Sequence, residues 1–177
     1  DRGALPLRWG DRVRVEAEID RSTYLYIVWL DSRGTALPVF PWRNGDWTMR
    51  PDLEQTRMFV ALPEHEDAGW MMQESPDGME TLVLLARTTR LPKTVNLQEM
   101  MNRLAFPTLE PRPHAAWFRD GTLRNAQPQK TPKKRDPKFD QTVGINDPLL
   151  KAQRRLAETL RPHFDLVQAV SFPVREK

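Results

Sequence analysis

Three histidines are the chain's only imidazole groups, and each is isolated in the sequence. His65 opens the run His65-Glu66-Asp67, where two carboxylates adjoin an imidazole, as general acid–base catalysis would require. The run lacks the second histidine of a zinc-binding helix, so a solvated acidic turn is the favoured interpretation. His114 follows Pro113 just before a predicted strand, and His163 follows the proline that ends a predicted helix, where an imidazole can complement the helix dipole.

Other arrangements that perform chemistry are missing from the sequence or cannot be assembled from it. Asp11, Glu16 and Glu18 cannot be assigned to one cleft, so a catalytic carboxylate pair is unsupported. The chain has no nucleophile elbow, no Walker A loop and no dinucleotide-binding glycine motif, and its eight glycines are dispersed. The absence of cysteine excludes thiol nucleophiles and thiolate metal sites. We therefore predict no enzymatic activity, no cofactor and no metal; a hydrolase with a cryptic acidic site is a less favoured alternative.

A basic segment at 130–138 is a candidate for contacts with phosphate groups. It carries five cations against one acid. A nucleic-acid-binding domain is therefore an alternative function, with affinity that falls as salt rises. Its predicted contacts are Lys133, Lys134, Arg135 and Arg155. The segment lacks the interleaved aromatic side chains that stack on bases, so a solvated loop is the favoured interpretation.

Six tryptophans are more than a small core needs. Trp29 and Trp117 lie in predicted strands and are expected in the core. Three others lie in loop-like sequence, where an indole is either a lid on the core or an anchor for a partner, and the lid is somewhat favoured. Met71 and Met72 extend this apolar surface. The predicted partner-binding residues are Trp42, Trp47, Trp70 and Met72.

Hydrophobic alternation predicts the strands that position these residues. Residues 12–19 alternate apolar and charged side chains, which is typical of a strand with one buried face. Residues 24–30 are apolar on both faces and are predicted to form a central strand. A turn at Gly34 joins that strand to a hairpin partner at 36–40. Further strands are predicted at 57–62, 79–87, 115–118 and 164–174.

Two helices are predicted beside these strands. Thr94 is the expected N-cap of a short helix near 95–105, where leucines and methionines recur at i, i+3, i+4 and i+7. Asp147 and Pro148 begin a second helix that continues to about Arg161. The predicted fold class is mostly β, an antiparallel β-sandwich or partly open barrel with two short-to-medium helices.

The chain is predicted to form a single domain over residues 1–177. Residues 5–122 are the β core, 123–146 a basic proline-rich linker or loop, and 147–177 a helix plus a returning strand. The longest uncharged apolar run, 24–30, is too short to cross a membrane, so no membrane partner is expected. The absence of cysteine fits a reducing compartment, and we expect a cytoplasmic location. Because the sequence begins at Asp1 without a methionine, we expect a fragment of a longer protein.

A series of short motifs runs through the first half of the chain. In order they are Gly10-Asp11, Tyr24-Leu25-Tyr26, Gly34 with Val39-Phe40-Pro41-Trp42, and Pro76-Asp77-Gly78 followed by Glu80. Their order and spacing over about residues 5–92 resemble bacterial domain of unknown function 4384. The resemblance implies an all-β accessory module of multidomain bacterial proteins, often fused to Ser/Thr kinase or caspase-like peptidase domains, with no agreed catalytic residues.

Taken with the loop tryptophans, the resemblance leads us to expect a non-enzymatic protein–protein interaction or regulatory module. Its expected partner is another protein or a neighbouring domain of the same polypeptide.

Overall fold

The computed structural model describes residues 5–64, 69–73, 75–104, 106–126, 139–142 and 144–176. Eleven strands and two helices occur within these ranges. The strands are β1 (Leu7–Arg8), β2 (Arg12–Val13), β3 (Val15–Leu30), β4 (Ala36–Phe40), β5 (Arg57–Leu62), β6 (Trp70–Met71), β7 (Gly78–Arg87), β8 (Ala116–Arg119), β9 (Thr122–Ala126), β10 (Phe139–Thr142) and β11 (Leu166–Arg175). The helices are α1 (Leu97–Arg103) and α2 (Pro148–Leu160).

Nine of the described strands belong to one sheet. Its order is β10-β9-β8-β11-β7-β3-β4, with antiparallel neighbours throughout, and β5 pairs with the first half of β3. The short strand β1 runs parallel to β11, while β2 and β6 form a separate two-stranded pair. The prediction of a mostly-β, antiparallel fold with two helices is confirmed, and the described strands do not close into a barrel.

The long strand β3 organises the sheet because its two halves have different partners. Residues 15–18 pair with β5, whereas residues 24–30 pair with β7 and, from Ile27 onward, also with β4. This second half is the predicted central strand, and its place between β7 and β4 confirms that prediction. The strand predicted at 12–19 is divided, because Arg12 and Val13 pair with β6 and Val15 begins the pairing with β5.

Alternate side chains of β3 and β7 enter different clusters on the two faces of the sheet. Tyr26 and Val28 face the cluster that both helices cover, which is the larger part of the core. Leu25 and Ile27 face a second cluster, to which β5 contributes Val60 and other apolar side chains. Burial on both faces explains why residues 24–30 are apolar without alternation.

The two helices begin at different kinds of capping residue. The Asp147 carboxylate accepts the backbone N–H of Leu149 at 2.9 Å, and α2 begins at the proline after it, as predicted. The predicted N-cap of α1, Thr94, is wrong. Asn96 is the N-cap, because its side-chain oxygen accepts the backbone N–H of Glu99 at 3.0 Å, whereas Thr94 lies in the preceding turn.

A buried chain of polar groups joins α2 to the sheet. The Gln153 amide donates to the Ser171 hydroxyl at 2.8 Å, and that hydroxyl lies 2.7 Å from the hydroxyl of Thr81 on β7. All three residues are fully buried. Because each hydroxyl then has a partner away from water, the helix is fixed at one position over the sheet.

The C-terminal strand returns to the middle of the sheet, as predicted. β11 pairs with β7 over nine consecutive residue pairs and with β8 on its other side. The ends of the predicted linker at 123–146 differ from the prediction, because β9 and β10 pair there as an antiparallel hairpin. Residues 127–138, which include Lys133, Lys134 and Arg135, lie outside the described residues.

Candidate functional site

A groove lies beside the hairpin of β3 and β4, and its cavity volume is about 640 Å³. This volume falls within the range that is usual for sites that enclose small molecules or side chains. Strands β3, β4, β6 and β7 all contribute to it, together with the loop at 41–55, which we call the tryptophan loop. The side chains that define the character of the groove are Trp29, Leu37, Trp42, Trp70, Met71, Met72 and Glu80.

Trp29 is held in the groove by two aromatic contacts and one hydrogen bond. Its ring meets Trp70 edge-on at a centroid distance of 6.4 Å and Phe172 at 5.5 Å. Such T-shaped pairs are the favoured arrangement of aromatic rings. The indole N–H donates to Oε2 of Glu80 at 2.6 Å. The expectation that Trp29 is a core residue is therefore true only of part of the ring, because Trp29 also lines the groove.

Glu80 places a buried carboxylate in the lining of this groove. The residue is only 3% exposed, although it lines the groove. Burial raises the pKa of Glu80, hydrogen bonds from Trp29 and Ser75 oppose that rise, and the nearby charge of Asp31 adds to it. Among the described residues that line the groove, Asp31 and Glu80 are the only charged ones. The groove is thus acidic in a chain whose formal net charge is +3.

Asp31 has a structural role in the hairpin turn at the end of the groove. Its Oδ1 accepts the backbone N–H of Arg33 at 2.9 Å and of Thr35 at 2.7 Å. Gly34 occupies the turn with φ +83, and a Cβ at this position would lie 2.2 Å from the carbonyl oxygen of Phe106. The turn therefore requires glycine both for its backbone conformation and for the close approach of a neighbouring chain segment.

The tryptophan loop is attached to the helix-covered face of the sheet by its two indoles. Trp42 is buried, packs edge-on against Trp47 at a centroid distance of 5.0 Å, and meets Tyr26 at 5.9 Å with the two rings tilted. The Trp47 indole N–H donates to the carbonyl oxygen of Ala36 at 3.3 Å. Trp42 thus contacts the core on one side and lines the groove on the other.

A buried polar cluster anchors the far end of the same loop. We call it the Tyr26 cluster, and it consists of Tyr26, Arg50, Glu54, Arg90 and the backbone N–H of Leu91. The Tyr26 hydroxyl donates to Oε2 of Glu54 at 2.6 Å and accepts the Leu91 N–H at 2.9 Å. Arg50 and Arg90 donate to Oε1 of Glu54 at 2.6 and 3.2 Å. One carboxylate therefore joins the loop to β3 and to the segment after β7.

The acid–base properties of the Tyr26 cluster follow from burial and from these hydrogen bonds. Burial, with the hydrogen bond to Glu54, raises the pKa of Tyr26 to about 12. Burial alone would also raise the pKa of Glu54, but hydrogen bonds from Arg50 and Tyr26 outweigh it, so this pKa lies below its ordinary value. Glu54 is therefore ionised and Tyr26 neutral at physiological pH, which suits a fixed structural contact.

The four predicted partner-binding residues are partly brought together. Trp42, Trp70 and Met72 line the groove. Trp47 does not line it, but it packs against Trp42 and so supports one wall. The prediction missed Leu37 and Glu80 as groove residues. Glu80 could have been identified from the sequence, because it is an acidic residue inside the apolar strand predicted at 79–87. A carboxylate is rarely buried unless it has a specific partner.

The described residues do not assemble an arrangement typical of catalysis. His114 is exposed, His163 follows α2, and His65-Glu66-Asp67 lies outside the described residues. Within the described ranges, no group of three or more histidine, aspartate or glutamate side chains is placed to hold a metal ion. For the basic alternative, Arg155 is exposed on α2, and its three predicted companions lie outside the described residues.

No protein-family model, curated protein sequence or solved structure matches this chain. The resemblance to bacterial domain of unknown function 4384 therefore stays a prediction that depends on its short motifs. In the described part of the chain, neither helix is long and apolar enough to cross a membrane.

Proposed function

We propose that this chain is a non-enzymatic protein–protein interaction or regulatory module that binds a partner segment in the groove. The observation that supports it most directly is the apolar rim. Leu37 is 46% exposed and Met71 63% exposed, and both line the groove that contains Trp70 and Met72. Contiguous exposed apolar surface is costly in water and marks interaction sites, and tryptophan is enriched where partners bind most strongly.

The partner is proposed to be another protein or a neighbouring domain of the same polypeptide. The motif resemblance favours a bacterial multidomain protein in which a kinase or a caspase-like peptidase is the neighbour. A cytoplasmic location is proposed with it, because a chain without cysteine suits a reducing compartment.

The test compares two rim variants with two matched controls. Leu37→Glu and Met71→Glu place a charge on the rim of the groove. Ile145→Glu and Met58→Glu introduce the same charge at apolar residues that are 70% and 51% exposed but do not line it. Each immobilised variant is used to capture proteins from the source cells, and each captured protein is then purified and its affinity for all four variants is measured.

We expect the rim variants to lose at least about tenfold in affinity while the controls bind like wild type, since a charge placed against an apolar partner must be desolvated. The proposal would be contradicted if all four variants bound the captured protein like wild type. It would also be contradicted if the two controls lost as much affinity as the two rim variants. Capture of RNA or DNA alone, released by moderate salt, would instead support the basic segment as the binding site.

A further inference from the structure

We propose that the groove recognises an arginine side chain of an extended partner segment, with Glu80 as the acceptor of its guanidinium group. This inference rests on the proposed function and specifies the chemistry of the partner. It is supported by three observations, namely the charge of the groove, the free acceptor capacity of Glu80, and the aromatic side chains around it.

The charge of the groove selects a cationic group. Glu80 and Asp31 are the charged residues among the described residues that line the groove, and both are acidic. Asp31 Oδ1 accepts two backbone N–H groups of its own turn, which fixes that carboxylate at the hairpin end of the groove. Glu80 instead lies beside the aromatic ring of Trp29, so we assign the guanidinium contact to Glu80. An apolar partner segment alone would leave this buried charge uncompensated, and an acidic one would be repelled.

Glu80 has acceptor positions that the protein does not fill. An ionised carboxylate offers about four lone-pair positions. The described donors to Glu80 are the Trp29 indole N–H and the Ser75 hydroxyl. The Ser75 hydroxyl also lies 2.7 Å from that of Ser32, which fixes its direction. These contacts hold the carboxylate in one orientation and leave room for further N–H donors from a guanidinium group.

The side chains around Glu80 favour arginine over lysine. A guanidinium group is planar, is more weakly hydrated than an ammonium group, and stacks on aromatic rings. Trp70, half-buried in the groove, and Trp29 supply such rings. Met71 and Met72 beside them provide apolar surface for the methylene stem and for flanking apolar residues. A lysine ammonium group would have to give up more of its hydration to reach the same carboxylate.

The test uses fluorescein-labelled, N-acetylated and C-amidated peptides of sequence Ala-Val-Arg-Val-Ala. Two counterparts carry citrulline, which keeps the shape of arginine but is uncharged, or lysine at the central position. Binding to the complete chain is measured by fluorescence anisotropy. We expect the arginine peptide to bind at least about tenfold more tightly than the citrulline peptide, and more tightly than the lysine peptide, because a charge-assisted hydrogen bond is lost in the first and stacking in the second.

The variant Glu80→Gln identifies the acceptor. Glutamine keeps an oxygen that accepts the Trp29 N–H, so we expect a folded protein that binds the arginine and citrulline peptides about equally. Circular dichroism in the near ultraviolet checks that the indoles remain packed. Arginine-peptide binding weaker than ~1 mM, equal binding of all three peptides to wild type, or an arginine preference that persists in a folded Glu80→Gln variant would each overturn the proposal.

These results can be told apart from a failure of the proposed function. If all three peptides bind wild type equally and Leu37→Glu abolishes that binding, arginine recognition is rejected but the groove is supported as a binding site. If a captured partner also ignores both rim variants, the proposed function fails as well.

Discussion

The hydroxyl group of Tyr26 is predicted to fix the tryptophan loop, and Tyr26→Phe removes that group alone. The substitution leaves the aromatic ring in place against Trp42. It removes the donor to Oε2 of Glu54 and the acceptor of the Leu91 N–H, both of which are buried. We therefore expect a loss of stability without a change of fold, and a loosening of the loop that forms one wall of the groove.

The loss of stability in Tyr26→Phe follows from the two hydrogen bonds that the hydroxyl makes. A buried N–H left without an acceptor costs about 1–3 kcal/mol, and a hydrogen bond to an ionised group contributes about 1.5–3 kcal/mol. Because Arg50 and Arg90 still donate to Glu54, part of the second contribution is retained. We expect the free energy of unfolding to fall by roughly 3 kcal/mol, and Tm to fall by roughly 6–12 °C for a chain of this size.

Measurements at alkaline pH separate the contribution of the Tyr26 hydroxyl to stability from the contribution of its aromatic ring. The pKa of Tyr26 is about 12 in the folded protein, whereas the ordinary value of 10.0 applies to the unfolded chain. Above pH 10 the unfolded chain therefore loses the hydroxyl proton before the folded protein does. This contribution to stability is complete below pH 10 and is lost as pH rises toward about 12. Between pH 9 and 11 we expect wild type to lose about 1.4 kcal/mol more than Tyr26→Phe does.

Urea unfolding followed by far-ultraviolet circular dichroism at pH 7, 9 and 11 measures both effects. Tyr24→Phe is the matched control, because Tyr24 is the chain's other tyrosine and lies partly exposed on the same strand. A Tyr26→Phe variant within about 0.5 kcal/mol of wild type at pH 7 would refute the reasoning. So would equal pH dependence of the two proteins, since it would show that Tyr26 titrates normally.

Three further substitutions test other parts of the structure by urea unfolding. Burial raises the pKa of Glu80, so as pH rises above 4.5 the unfolded chain loses this proton before the folded state does, and stability falls until Glu80 is ionised in both states. Glu80→Gln should therefore be more stable than wild type at pH 7 and lose that advantage at pH 4; a less stable variant at pH 7 would contradict this. Gly34→Ala should cost more than about 2 kcal/mol because its Cβ would strike the Phe106 carbonyl, whereas Gly10→Ala, at a similar φ in open space, should cost about 1 kcal/mol. Equal losses of stability in the two variants would show that the backbone conformation alone, and not the contact with Phe106, determines the cost of the substitution. Ser171→Ala should cost about 2 kcal/mol because it leaves two buried polar groups without their partner, and a cost below about 0.5 kcal/mol would count against the polar link to α2.

Much of the sheet could be predicted because side-chain alternation reports which faces of a strand are buried. The second half of β3 and most of β7 are apolar on both faces, and both lie inside the sheet. The start of α2 could be predicted because aspartate followed by proline satisfies the free N–H groups of a first helical turn. The N-cap of α1 could have been predicted from Asn96 and Glu99, whose spacing matches a capping box.

The groove could not be predicted because it depends on pairing between distant strands. Glu80 follows Trp29 by fifty-one positions, and their hydrogen bond exists only because Trp29 lies opposite Leu82 in the β3–β7 register. Alternation assigns a residue to a face but does not state which residue of another strand lies beside it. For the same reason Trp29 could be assigned to a strand but not to the groove.

The tryptophan loop combines the two interpretations that its sequence left open, a lid on the core and an anchor for a partner. Trp42 is buried against Tyr26 and Trp47, and the same indole lines the groove. A wall fixed by core contacts does not have to become ordered when a ligand binds, so less conformational entropy is lost on binding. We therefore expect Tyr26→Phe to weaken binding of the arginine peptide in the fluorescence anisotropy assay, although Tyr26 does not line the groove. Such a loss would show that packing of the tryptophan loop against the core contributes to the affinity of the groove for the peptide.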